Sequence, residues 1–328
     1  MNQSSKGSMP LSKALVGFLQ FKEAEGNSLL TLANYKRDIE KWISHSGDNL
    51  VTDITTESVR AYLAYLRTDY VPRRIYGGND KPLSMKTIRN VWVALSAFFT
   101  WAKAEFGIPD PMDGVPTPKF QKTQILPFTK EHIEALLKGC ENTREAKTRF
   151  RRSFTHKRTT ATRDRALIKV LLDTGLRASE LCSLLVRDYD PKTGEIRVRF
   201  GKGGKQRFVF VEKGVRRELW RYLTQRDEEG ENPESPLFLG RNDKPMNKTS
   251  LRLLLNRLGR KAGVPNCHPH RFRHTFSIQF LRGGGDVFSL QKLLGHSTLD
   301  MVKHYVAIAQ VDIQNAHRRA SPVDNWHL

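Results

Sequence analysis

His270 and Arg273 stand three residues apart in the run His268-Pro-His-Arg-Phe-Arg-His274. Pro269 suits a first helical turn, and Phe276, Ile278, Phe280 and Leu281 follow as an apolar run, so a helix is expected to start here. That spacing sets an imidazole and a guanidinium side by side on one helix face. A second imidazole, His296, follows in Leu293-Leu-Gly-His, and a phenol, Tyr305, comes nine residues later. Guanidinium and imidazole together form a donor cluster suited to a phosphate, and a phenol beside them is a candidate nucleophile. No Asp/Glu cluster accompanies these residues, so neither a divalent metal nor any other cofactor is expected to take part.

The partner of such a site is expected to be a polyanion. Formal net charge is +21 over 328 residues. It is unevenly spread: residues 1–118 carry 14 Lys+Arg against 12 Asp+Glu, whereas residues 119–328 carry 41 against 22. A positive field concentrated in one part of a chain points to nucleic acid. Cys140, Cys182 and Cys267 are scattered and odd in number, which fits neither a disulfide framework nor a zinc site and suggests a reducing, cytoplasmic compartment. There is no eighteen-residue apolar run and no basic amphipathic stretch beside one, so no membrane partner is expected.

Positioning these residues requires a mainly α-helical scaffold with a small antiparallel β-sheet. Four amphipathic helices are expected in the first hundred residues, the clearest carrying Ile88, Val91, Trp92, Leu95, Phe98, Phe99 and Ala102 behind a Ser84 cap. Residues 68–83 read as a loop. Four prolines in Pro109–Lys119 make a stiff connector and place a domain boundary near residue 118. Beyond it, Thr129 caps a short helix, and Arg144–Arg165, with nine Lys/Arg, reads as a solvated or backbone-contacting loop. A helix is expected from Ala166 to Leu172. Glu195–Phe200 and the segment ending at Val211 alternate with period two around Gly201-Lys-Gly-Gly-Lys205, which predicts a β-hairpin. Helices are then expected over 215–226, 248–262, 271–282 and 289–294, from Leu299 onward, and over 306–320.

Five segments now fall into a pattern. Thr174-Gly-Leu-Arg-Ala-Ser-Glu-Leu181, Gly201-Lys-Gly-Gly-Lys-Gln-Arg207, Pro269-His-Arg-Phe-Arg-His-Thr275, Leu294-Gly-His-Ser297 and Tyr305 resemble, in order and approximate spacing, the motifs of the tyrosine recombinases, the phage integrase family. The resemblance spans about residues 125–310, and residues 1–118 look like the family's helical core-binding, SAM-like domain ahead of a catalytic domain at 119–328. It implies that Tyr305 attacks a DNA phosphodiester to give a 3′-phosphotyrosyl link and a free 5′-hydroxyl. Arg177 and Arg273 would grip the non-bridging oxygens. His270 and His296 would donate hydrogen bonds or shuttle the phenol's proton, and Lys202 would protonate the leaving 5′-oxygen, with Lys205 as its rival. Glu180 would orient Arg177 or His270 from behind. Arg73, Arg74, Lys86, Arg89, Lys205 and Arg207 are candidate phosphate contacts.

The implied partners are double-stranded DNA, further copies of the chain in a tetramer on paired sites, and an accessory DNA-bending protein. The covalent link conserves the phosphodiester energy, so no ATP is expected to be needed; the Gly201 stretch lacks the spacing and following helix of a nucleotide-binding P-loop. The long segments at 68–83 and 144–165 favour an integrase or transposase of a mobile element. The alternatives are a Xer-type dimer resolvase, a nick-and-reseal topoisomerase and a non-catalytic DNA-binding protein. The 306–320 helix could pack within its own subunit or on a neighbour.

Overall fold

The computed structural model describes residues 9–72, 81–121, 125–142, 146–148, 151–154, 156–199, 206–226 and 232–295, together with residues 305, 321 and 323. The chain divides into two compact units, Met1–Thr123 and Gln124–Leu328.

In the first unit, four helices carry the apolar faces expected of them: α1 (Leu11–Ala24), α2 (Leu29–Ser46), α3 (Thr56–Thr68) and α4 (Met85–Phe106). Ser28 and Ser84 accept the first free backbone N–H groups of α2 and α4, and Thr55 and Ser58 cap α3 reciprocally, satisfying donors that a helix start leaves open. Gly107 ends α4 in the left-handed region at φ 68°. The aromatic stripe is core: Phe18, Trp42, Tyr62, Phe98 and Phe99 are fully buried, and Phe18 meets Phe98 edge-on at 5.5 Å. The Trp92 indole donates to the Val115 carbonyl, which ties the proline-rich segment back onto α4.

The second unit contains α5 (Lys130–Glu141), β1 (Ala146–Thr148), β2 (Arg151–Phe154), α6 (Ala161–Thr174), α7 (Ala178–Cys182), β3 (Glu195–Val198), β4 (Arg207–Phe210), α8 (Lys213–Thr224), α9 (Lys248–Lys261), α10 (Pro269–Arg282) and α11 (Val287–Leu294). Its core gathers Leu136, Leu167, Leu171, Leu176, Leu255 and Phe272. β3 and β4 pair antiparallel, Glu195 opposite Phe210 and Val198 opposite Arg207, with the expected turn at 201–205 outside the described residues.

The basic stretch 144–165 departs from the loop expected of it. Its described part holds a second antiparallel pair, β1 with β2, and α6 begins at Ala161 rather than Ala166. The physical reason is Asp164, which is 0% exposed and accepts from Arg158 Nη2 at 2.5 Å and from Arg163 Nη2 at 2.8 Å. Charge counting treats such a run as solvated. One buried carboxylate draws two of its cations inward and lets the helix start early. No helix among the described residues is long and apolar enough to cross a membrane.

Candidate active site

Gly175 ends α6 at φ 60° and turns the chain toward Arg177. A Cβ at Gly175 would lie 2.5 Å from Phe276 Cδ1, so only glycine permits this approach of α6 to α10. Arg177 is extended and immediately precedes α7. Glu180, three residues on and 2% exposed, accepts the Arg177 backbone N–H at 2.8 Å and its Nη1 at 2.8 Å. From β4, Arg207 Nη1 and Nη2 reach the two carboxylate oxygens of Glu180 at 2.9 and 2.8 Å. Burial pushes the Glu180 carboxyl up, but the hydrogen bonds from Arg207 and the Arg177 backbone outweigh it and bring it down to about 2.

The second arginine comes from α10. His268 caps that helix by accepting the Arg271 backbone N–H, with Pro269 in its first turn. Arg271 is buried and serves structure: its Nε donates to the Leu126 carbonyl at 2.9 Å and its guanidinium lies 4.1 Å over the Phe128 ring. Arg273, 3% exposed, donates to the carbonyls of Gly175 at 2.9 Å and Leu294 at 2.8 Å. Burial, and next the charge of Arg177, lowers Arg273 to about 10, against the pull of Glu180 and Tyr305; at neutral pH it stays cationic.

The C-terminus of α11 joins these groups. Its last carbonyls have no partners within the helix and form the negative end of its dipole. Leu293 O accepts Arg207 Nε at 2.7 Å, Leu294 O accepts Arg273, and Gly295 O lies 3.5 Å from Arg177 Nη2. Three guanidiniums thus gather around the one carboxylate of Glu180, a centre of net positive charge among the described residues. Among the described residues Arg177 Nε has no partner, and the side chain is 26% exposed. This is a cationic site with donor capacity in reserve, matched to a phosphate.

Tyr305 is 7% exposed and packs among Ile278, Leu281, Leu290 and Leu294. Its ring centre is 5.3 Å from that of His274. Of the residues expected at the site, the fold thus brings together Arg177, Glu180, Arg273 and Tyr305. His270 sits exposed on the first turn of α10, while Arg273 on the same helix is buried. Lys202, Lys205, His296, Arg73 and Arg74 lie outside the described residues. Lys86 and Arg89 are exposed along one face of α4, with the Arg89 guanidinium 5.7 Å from the Phe120 ring centre. Arg207, expected to reach phosphates, instead points inward to Glu180 with its side chain 10% exposed. The sequence held a signal for this: with period two, Arg207 shares the inward face of β4 with Val209 while Phe208 and Phe210 face out. A cation on an apolar strand face requires a buried partner.

Residues 127–311 match the phage integrase family and residues 15–106 match the phage integrase N-terminal SAM-like domain. The tyrosine recombinase XerA of Thermococcus kodakarensis is 29% identical over 307 residues, covering 94% of this chain and 95% of its own length. XerA of Saccharolobus solfataricus is 31% identical over 234 residues, covering 71% and 67%. Among solved structures, the Tn1549 transposon integrase in complex with a circular intermediate DNA superposes with a TM-score of 0.67 at 20% identity, covering 91% of this chain and 95% of that one; the likeness is one of fold.

Proposed function

The chain belongs to the phage integrase family, the tyrosine recombinases, and from that premise we propose that it cleaves and rejoins double-stranded DNA at specific sites through Tyr305. The observation that carries this reading is the meeting of Arg177 and Arg273 around the end of α11, with Tyr305 in the same buried cluster as Leu294, whose carbonyl holds Arg273. In the proposed step the Tyr305 oxygen bonds to phosphorus, the bond to the 5′-oxygen breaks, and a 3′-phosphotyrosyl link forms. The phenol gives up its proton to an imidazole, His270 or His296. The leaving 5′-oxygen gains one from Lys202 or Lys205. Arg177 and Arg273 hold the non-bridging oxygens, where negative charge builds, and Glu180 orients Arg177. Positioned donors of this kind typically contribute ~10²–10³ in rate each. Lys86, Arg89, Arg73 and Arg74 are proposed to contact the DNA backbone from the first unit.

The test is covalent capture on a nicked cognate duplex. Wild-type protein should give a denaturation-resistant adduct. Tyr305→Phe should bind the same DNA with unchanged affinity and give none. An adduct with the phenylalanine variant would overturn the assignment of the nucleophile. Relaxation of arbitrary supercoiled DNA without a defined site would point to a topoisomerase. The finer reading is an integrase or transposase of a mobile element working as a tetramer, supported by the length of the segments at 68–83 and 144–165. Imperfect inverted repeats flanking the gene would supply its substrate; strand exchange confined to a chromosomal dimer site would replace it with a resolvase.

A further inference from the structure

An ionised carboxylate offers about four lone-pair positions. Those of Glu180 are all occupied. Oε1 accepts Arg177 Nη1 and Arg207 Nη1, while Oε2 accepts the Arg177 backbone N–H and Arg207 Nη2. Arg207 therefore fills two positions, one of which a second guanidinium nitrogen of Arg177 would otherwise take, since carboxylates favour paired donation from a single fork. The same arginine donates Nε to Leu293 O, one residue before the carbonyl that holds Arg273 and two before the one nearest Arg177. Gly295 makes room for it: a Cβ there would sit 3.2 Å from Arg207 Cδ and Nη1.

We infer that Arg207 is a positioning residue for DNA cleavage: by occupying Glu180 from the β4 side, it leaves Arg177 with donors to give the scissile phosphate. This rests on the phosphodiester chemistry proposed above. It assigns Arg207 no contact with DNA. Among the described residues, the groups that bear on Glu180 are Arg177 ahead of α7, Arg207 on β4 and Arg273 on α10. Without Arg207, the buried carboxyl loses its main opposing hydrogen bonds and titrates at higher pH. Cleavage should then fall more steeply toward acid pH than it does in the wild type, where only the imidazole base titrates in that range.

The experiment compares wild type, Arg207→Gln and Arg207→Lys on a nicked duplex at saturating protein, with affinity measured separately over a salt series. Arg207→Gln should lower single-turnover cleavage by roughly 10²-fold, and the loss should deepen as pH falls from 8 to 5. Its DNA affinity and salt slope should match wild type. A phosphate contact gives the opposite split: weaker binding, a salt slope reduced by about one, and normal cleavage at saturation. Arg207→Lys, which cannot fork across both oxygens, should fall in the same direction by a smaller factor, and it decides the question if the glutamine variant does not fold. A folded variant that cleaves at the wild-type rate overturns the role of Arg207 alone. Absence of any adduct with wild-type protein overturns the phosphodiester reading itself.

Discussion

Glu180 and Gly175 show how single residues set the charge and shape of the site. The Glu180 carboxyl is brought from its ordinary 4.5 down to about 2. A carboxyl depressed on folding contributes stability above its unfolded value and loses it as pH falls through the folded one. Its contribution, on the order of 3 kcal/mol, is therefore present at pH 7 and is lost between about pH 5 and pH 2. Glu180→Gln should flatten that part of the stability–pH curve, measured by urea denaturation at stepped pH; an unchanged acid limb would show that the carboxylate is not held as described. Gly175→Ala combines a left-handed backbone at φ 60° with a Cβ 2.5 Å from Phe276. It should cost about 1–3 kcal/mol and also reduce adduct formation, because the Gly175 carbonyl holds Arg273.

At the scale of elements, α6 carries the site at one end and the Asp164 ion pairs at the other, over 14 residues. Arg158 and Arg163 both depend on a carboxylate with no solvent exposure. Asp164→Ala leaves two largely buried guanidiniums unpaired and should destabilise the second unit by roughly 3–5 kcal/mol. Thermal unfolding checks this, and a shift of less than a degree would contradict it. The expectation of a solvated loop failed at this end because composition does not show which cation meets a buried anion. α10 was legible where its chemistry was local. Pro269 and the following apolar run mark its start and its buried face. The division of labour between exposed His270 and buried Arg273 came only with packing.

Over the whole molecule, most of the excess positive charge lies beyond residue 118. Each phosphate neutralised contributes about −0.9 to the slope of log affinity against log salt. Binding should therefore weaken by ~10³-fold or more between 50 and 200 mM salt, measured by fluorescence anisotropy on a duplex; a slope near zero would remove the polyanion as partner. Lys86→Glu with Arg89→Glu on α4 should weaken binding roughly uniformly across DNA sequences, since phosphate contacts carry no base information.

The sequence by itself determined the helical bundle and the β3–β4 pairing, and it raised the expectation that Arg177, Arg273 and Tyr305 share one chemistry. Each follows from local spacing, from side-chain type or from motif order, and all of these are written along the chain. The tertiary structure alone decided that Arg207 serves Glu180, and that the carbonyls of residues 293–295 bring three arginines to one point. Backbone carbonyls are the same in every residue. Which of them faces a distant guanidinium depends on where a helix ends against its neighbours, and only the packed chain sets that.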